Sequence, residues 1–515
     1  MSDRPNLLLI LTDQHARKIS GFAGDDVVQT QALDRLASSS VQFDAAYCAS
    51  PCCTPSRMTM LTSKDVHHCS AWANHWVIFP EHMTWPQHFG EHGYRTALVG
   101  KMHFGGRDQM QGFQLRPYGD LRHGLGHQPD PISLFPSYAG AEGAGVTEIP
   151  ESLLQDVVVT RETLALLREH ADAEPGTPWF CCASYSRPHS PFTTPGRYIR
   201  RYRDRVPAVP LPDDFLNRMD PYSRKMWDLE SASETLTAEQ AIRAREAYYA
   251  CVDFVDDCIG ELLDGLAADG LLENTIVIYS SDHGEMAGEL GMWGKTVPFE
   301  SSIGVPLLMT GPQIHKGHHR VNHPISLMDL FPTTCTLAGL PIPDGLDGID
   351  QASVLTNPGQ QAPPREYAPS TYIAYGIRPA AGVPLPEHES AGAMRVWRGR
   401  DWKYVAIEGE APLLFDMIRD PRESTNLADS HEHAQTLQTL ERGAMDGFSW
   451  EGIHAQLARD RERVNDFASG RKPSTPNQYM LPDGRVFDAE STLYDARWLY
   501  LPPSPGGGII PQRFG

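Results

Sequence analysis

The sequence predicts an α/β fold: a large, mixed but mostly parallel sheet flanked by helices, then a smaller C-terminal α+β unit and an extended tail. Three observations predict it. First, largely apolar runs at residues 7–11, 179–185 and 275–279 read as strands buried on both faces, the pattern of a central parallel sheet. Second, each run ends in a polar cluster: Thr12-Asp13-Gln14, Ser186-Arg187-Pro188-His189 and Ser280-Ser281-Asp282-His283. Open α/β sheets place their ligands at the carboxyl ends of such strands. Third, stretches of helical period separate the runs, the longest at residues 237–266 with Tyr248, Cys251, Val252, Val255 and Ile259 on one stripe.

A chain of 515 residues buries a large core and divides into two or three units. The expected boundaries are a main unit over 1–380, a C-terminal subdomain over 381–458 and an extension over 459–515. Lys and Arg number 44 against 65 Asp and Glu, giving a net charge of −21. That balance disfavours nucleic acid or an anionic membrane as partner, so any anionic substrate needs cations concentrated locally. The chain begins Met-Ser-Asp-Arg-Pro, with no signal peptide pattern and no run long enough to span a bilayer. Nine cysteines, an odd number without metal-type spacing, fit reduced thiols and a cytoplasmic location.

In chain order, Asp13 closes the first strand. Residues 29–37 read as an amphipathic helix and 41–47 as a short strand. Cys53-Thr54-Pro55-Ser56-Arg57 then opens a helix expected over 55–62, with Thr54 as N-cap and Pro55 at the first helical position. Cys53 therefore sits at a helix N-terminus, where free N–H groups favour negative charge, and Arg57 adds a guanidinium fork one turn in. A polar and aromatic loop follows, with His67, His68, Asn74 and Trp76; Asn74 is its candidate substrate-facing residue. Residues 85–92 read as a helix. Residues 93–103 read as a turn, a buried strand and the exit Gly100-Lys101-Met102-His103, where Lys101 and His103 alternate to one side.

Residues 107–150 are irregular and rich in Gly, Pro and His, the character of a pocket wall. A helix is expected over 153–170, and Arg187, just past the next strand, reads as structural. After the strand at 272–279, the Gly291-Met292-Trp293-Gly294-Lys295 loop offers a lysine. A strand at 305–309 and a strand-to-helix segment at 323–340 complete the main unit. Pro-, Ala- and Gly-rich residues 355–393 read as a boundary. Strands at 394–405 and 413–416 and a helix at 431–448 form the second unit. From residue 459 the chain reads as a polar tail ending in aromatic and Pro/Gly-rich sequence, either flexible or draped over a partner, such as a second copy in a homo-oligomer.

These motifs resemble the type I sulfatases of the alkaline phosphatase superfamily. The match lies in Cys53-x-Pro55-Ser56-Arg57, in Gly93-Tyr94-x-Thr96 followed by Gly100-Lys101-x-His103, in Pro188-His189-x-Pro191, in Asp282-His283-Gly284 and in the lysine-bearing loop at Lys295. Leu414-Phe415-Asp416 with Asp420-Pro421-Arg422 resembles the family's small C-terminal subdomain. Gln14 and His283 stand where many sulfatases carry Asp and Asn. The Asp-Gln and Asp-His pairs are more similar to the choline sulfatase and phosphonate monoester hydrolase branches. Ser63 stands where the first signature usually has glycine.

The resemblance implies that Cys53 is oxidised to Cα-formylglycine by a formylglycine-generating enzyme. It implies a single divalent ion held by Asp13, Gln14, modified Cys53, Asp282 and His283. Oxygen donors suit Ca²⁺ or Mg²⁺ and the imidazole favours Mn²⁺ or another transition ion such as Zn²⁺; the choice stays open. It further implies attack by a hydrated aldehyde on a small-molecule sulfate ester, and then release of sulfate as the hemiacetal collapses. Arg57 and Lys101 stabilise the diol, His103 takes its proton, and His189 and Lys295 bind the ester and protonate the leaving oxygen. The alternatives are a phosphonate monoester or phosphodiester hydrolase using the same site, and a non-catalytic anion-binding homologue. The intact set of reactive residues weighs against the last. Mass spectrometry of the peptide carrying Cys53 is expected to show it about 18 Da lighter than the thiol form.

Overall fold

The run of leucines that opens the chain folds as the centre of the main sheet. In this computed structural model the main sheet contains β1 (Asn6–Asp13), β2 (Val41–Phe43), β4 (Arg95–Gly100), β5 (Leu115–Tyr118), β7 (Trp179–Pro188), β9 (Thr275–Ser281), β10 (Leu307–Thr310) and β11 (His319–Val321). Short pairs are made by β3 (Ala46–Tyr47) with β12 (Ile325–Ser326) and by β6 (Gly145–Val146) with β8 (Thr193–Thr194). The structure describes residues 4–468 except 75, 106–107, 109, 119–140, 148, 210–218, 230–235, 359–364 and 375–391, and beyond 468 only 478–480 and 486–488.

The main sheet has the order β11-β2-β10-β9-β1-β7-β4-β5. Only β10 among these strands runs against its neighbours, and the remaining pairs are parallel. Parallel pairing on both sides of β1 explains its unbroken apolar run. Leu7, Leu9 and Leu11 enter one core, and Leu8 and Ile10 enter the other. The second core is closed by the helices Gln31–Ala37, Gln155–Ala173 and Ala238–Ala268. The first is closed by Cys53–Thr62, Trp85–Glu91 and Leu330–Leu337. Thr237 starts the 31-residue helix with a full capping box: its hydroxyl accepts from Gln240 N–H, and Gln240 Oε1 accepts from Thr237 N–H.

The carboxyl ends of β1, β4, β7 and β9 open on one edge of the sheet. Asp13, Lys101, His189 and Asp282 stand at those ends or within one residue of them. Behind this edge sits a four-stranded antiparallel sheet, β13 (Ala368–Ile373), β14 (Ala393–Arg398), β15 (Trp402–Ile407) and β16 (Leu413–Asp416). A buried ion cluster joins the two units. Glu300 accepts from Arg17 at 2.8 Å, Tyr47 Oη at 3.0 Å and Arg398 Nε at 2.9 Å, with Lys403 Nζ 3.0 Å away. Lys403 also donates to Glu423 and to Pro298 O.

Several elements differ from the sequence reading. The antiparallel sheet takes β13 from ahead of residue 381, and the stretch read as a boundary joins two paired strands, Ala368 lying opposite Arg398. The helix Trp450–Ala468 runs through residue 459, where a polar tail was expected. Ile453 and Leu457 are buried in the main core and Trp450 packs against it, with acidic and basic residues between them. Asp460, on the same face, is buried and accepts from Ser70 Oγ at 2.6 Å and Trp72 Nε1 at 2.8 Å. The strand expected over 41–47 divides into β2 and β3 at the Asp44-Ala45 turn. The oligomer-supporting tail falls mostly outside the described residues, as does the greater part of the 107–150 wall. Among the described residues, no helix is long and apolar enough to cross a membrane.

Burial raises the Glu300 carboxyl, but Arg398, Lys403 and Arg17 outweigh it and hold the group well below the ordinary carboxylate range. Its contribution to stability is therefore present above that range and is lost as pH falls through the lowered pKa. Replacing Glu300 with Ala leaves three buried cations short of a partner. The expected cost is about 3–5 kcal/mol, read from the shift of the urea midpoint at neutral pH.

Candidate active site

The helix Cys53–Thr62 is buried along its whole length, so its entry is fixed by neighbours rather than by solvent. Cys52, not Thr54, takes the N-cap position, and it makes no side-chain cap bond. Asn74 supplies the cap from the following loop: its Oδ1 accepts from Thr54 N–H at 3.0 Å and from Cys52 Sγ at 3.3 Å. Thr54 instead donates its hydroxyl to His103 O at 2.8 Å. The helix ends at Ser63, whose φ of 53° is the left-handed conformation that makes glycine the usual residue there.

Cys53 is 1% exposed. Its Sγ lies 3.2 Å from His283 Nε2, 3.5 Å from Lys295 Nζ and 4.0 Å from Asp13 Oδ1. Arg57 spans both acids: Nη2 donates to Asp13 Oδ2 at 2.9 Å and Nε to Asp282 Oδ2 at 2.9 Å. Its Nη1 is held by Lys101 O at 2.7 Å and Ser184 Oγ at 3.1 Å. Lys101 Nζ lies 2.7 Å from Asp13 Oδ2. His189 Nε2 is 3.8 Å from Asp13 Oδ1 and 3.2 Å from Lys295 Nζ. Lys295 also donates to Gln14 Oε1, and Gln14 Nε2 donates to Glu285.

Asp13, Gln14, Cys53, Arg57, Lys101, His189, Asp282, His283 and Lys295 thus converge, and His103 joins them through its backbone oxygen, which accepts from Thr54, with two qualifications. Asn74, expected to face substrate, directs its carbonyl oxygen to the signature helix. Arg57, expected to serve the nucleophile, binds the two carboxylates. Gly284 is required for space rather than for a positive φ: a Cβ there would come within 2.0 Å of Ser301 O. Arg187 is structural as expected, since its guanidinium pairs with buried Asp156 at 2.5 Å and donates to Thr193 O. Two participants escaped the sequence reading, Ser184 and Glu285. The signal for Glu285 was a carboxylate directly after Asp-His-Gly.

The electrostatics follow from burial set against local charge. Burial raises Asp13, yet Lys101, His189, Arg57 and His283 outweigh it and hold the carboxyl well below the usual range. Burial pushes His283 down to about 4, against the pull of Asp282, so its imidazole is neutral at physiological pH. Burial and Asp13 raise the Cys53 thiol despite Lys295 and Lys101. The site therefore holds two carboxylates, a neutral imidazole and a thiol. Asp13, Cys53, Asp282 and His283 each offer a ligand atom, and these atoms lie within 4.8 Å of one another. That donor set fits one divalent cation.

A family model described as Sulfatase matches residues 5–340, and one for the C-terminal region of N-sulphoglucosamine sulphohydrolase matches residues 288–446. The chain belongs to the sulfatase family. This sulfatase is 31% identical to the choline-sulfatase of Rhizobium meliloti over 449 residues, covering 83% of each chain. Among solved structures, its fold is similar to the phosphonate monoester hydrolase of Agrobacterium radiobacter, with a TM-score of 0.71, 22% identity and coverage of 94% and 99% of the two chains. It is also similar to a protein solved with its substrate D-glucosamine-2-N,6-O-disulfate, with a TM-score of 0.68, 22% identity and coverage of 91% and 100%. As a sulfatase, the protein is a sulfuric ester hydrolase, and the alkaline phosphatase-like architecture expected from its motifs holds.

The donor cluster makes a direct expectation. His283→Ala removes the one neutral nitrogen ligand, so metal content by plasma mass spectrometry falls, whereas His68→Ala, at an exposed pair with Asp347, leaves it unchanged. Metal affinity of the unaltered enzyme falls as pH approaches the His283 value of about 4, because the proton then competes for Nε2.

Proposed function

We propose that this sulfatase hydrolyses sulfate monoesters of small alcohols through a formylglycine formed from Cys53. The observation that carries the reading is the buried Cys53 thiol, set 3.2 Å from His283 Nε2 and 3.5 Å from Lys295 Nζ at the N-terminus of a helix. A thiol alone is a poor nucleophile here, since burial and Asp13 keep it protonated. Oxidised to the aldehyde and hydrated, the same position carries a hydroxyl for attack and a second one for release.

Asp13, Gln14, Asp282 and His283 are the residues that hold the divalent ion, together with position 53. An ion held there would supply Lewis-acid charge to the reacting oxygens. The donor set suits Mn²⁺ or Ca²⁺. Arg57 keeps the two carboxylates apart from each other and aimed at the ion. Lys101 and Lys295 neutralise the oxygens of the tetrahedral group. His189, beside Lys295, gives the leaving oxygen its proton, and His103 takes the proton whose loss releases sulfate. The maturation partner is a formylglycine-generating enzyme.

A second reading is supported by Gln14 and His283. Both are neutral, so only Asp13 and Asp282 bring negative charge to the ion. A phosphonate monoester or a phosphodiester is also a tetrahedral monoanion with one leaving group, and the same cations suit it. Side activity on both ester classes is expected. One aldehyde-loaded preparation, assayed with an aryl sulfate and with the aryl ester of a phosphonate, ranks the two by kcat/KM. Cys53→Ala is expected to lose turnover of both esters while keeping the wild-type melting profile, and retained turnover on either one rules out the nucleophile assigned here.

A further inference from the structure

Glu285 has no part in the chemistry above, yet it is completely buried next to it. Its Oε1 accepts from Ala287 N–H at 2.8 Å and Gly294 N–H at 2.6 Å, and its Oε2 accepts from Gln14 Nε2. The opposite end of that amide, Gln14 Oε1, accepts from Lys295 Nζ. A carboxylate offers only acceptors and an ammonium only donors, whereas a primary amide has one end of each kind. Between Glu285 and Lys295 the Gln14 amide has a single orientation: nitrogen toward Glu285, oxygen toward Lys295 and the cation cluster. The Gln14 backbone is fixed as well. Its N–H donates to Asp282 Oδ1 at 3.1 Å and its carbonyl accepts from Tyr248 Oη at 2.7 Å.

The other oxygen of Glu285 works on the loop. Residues 287–294 include Ala287 and Leu290 with φ of 47° and 51°, and three glycines of positive φ. Glu285 Oε1 ties the two ends of this loop together, and Gly294 directly precedes Lys295. One carboxylate therefore governs two neighbours of the reacting centre.

Resting on the sulfatase reading, we infer that Glu285 is a positioning residue that turns the Gln14 carbonyl oxygen toward the metal-binding side and fixes the loop that presents Lys295. The substitution Glu285→Gln tests this with little change in volume. The Ala287 and Gly294 N–H groups then claim the new amide oxygen, so the new amide nitrogen faces Gln14. Gln14 turns over, and its own nitrogen meets Lys295 and the cation, donor against donor.

The expected result is a loss of Mn²⁺ affinity of about 10- to 100-fold, the usual effect of removing an outer partner of a metal ligand, measured by calorimetric titration of the full-length protein. The exchange Gln14→Glu with Glu285→Gln restores a carboxylate oxygen toward Lys295 and the ion. It is expected to recover most of the lost affinity and turnover. A merely structural glutamate gives no such recovery. Wild-type affinity in Glu285→Gln overturns the inference, and so does an exchanged variant no better than the single one. If Glu285→Gln fails to fold, the exchanged variant still decides: folded with near-wild-type Mn²⁺ affinity it supports the inference, and unfolded it overturns it. Mn²⁺ binding is read without turnover, so a wild-type protein that binds Mn²⁺ but cleaves neither ester class refutes the function and not the role of Glu285.

Discussion

One guanidinium holds two carboxylates at the centre of this enzyme, and the remaining geometry depends on it. Asp13 and Asp282 lie on adjacent parallel strands, close enough that two negative charges buried together would repel. Arg57 takes the Oδ2 atom of each. With the repulsion removed, Asp13 Oδ1 stays directed at Cys53 and His283. Three buried charges carry a large desolvation cost, and this is offset only when every donor and acceptor is engaged. Lys101 O and Ser184 Oγ complete the guanidinium, so β4 and β7 are bound into the same arrangement as β1 and β9. The sulfatase site in this sense rests on four strand ends and one helix, to which loops add Lys295 and the Asn74 cap.

Much of this was legible in the sequence because it rests on local rules. A strand with parallel neighbours on both sides is apolar on both faces, so β1, β7 and β9 announced themselves. Chemistry at their carboxyl ends follows from the topology of open sheets, which singled out Asp13, while the resemblance gave it, His189, Asp282 and His283 their roles. Lys101 and His103 came from the second signature of the resemblance, with alternation beyond the strand in support, and the structure sets Lys101 against Asp13. The signature residues Cys53 and Arg57 came from resemblance, and the structure places them beside the strand-end residues.

What stayed hidden depends on contacts between residues far apart in the chain. Thr54 has the chemistry of an N-cap, but a hydrogen bond to His103 O draws it inward, and Asn74 replaces it. Nothing near Thr54 in sequence reveals that exchange. The strand Ala368–Ile373 sits in composition typical of a linker, and only its pairing with β14 makes it a strand. The helix Trp450–Ala468 carries Arg459, Asp460, Arg461, Glu462 and Arg463 in a row, and only its contacts with the main unit, such as that of Asp460 with Ser70, show why this polar run stays helical. Glu285 drew no reading from the sequence, because its three donors come from Gln14 and from the two ends of a loop.

The polar contact between that last helix and the main unit has a consequence for the timing of synthesis. Ser70 and Asp460 are 390 residues apart, and Ser70 belongs to the loop that carries Asn74 to the entry of the nucleophile helix. At about 5–20 residues per second on the ribosome, roughly 20–80 seconds separate the emergence of the two partners. Throughout that interval the contacts of Asp460 with Ser70 and Trp72 cannot form, and the loop that carries Asn74 lacks this brace. The order of residues along the chain thus acts as a clock: the loop beside the nucleophile helix is made early, and the helix that braces it arrives late.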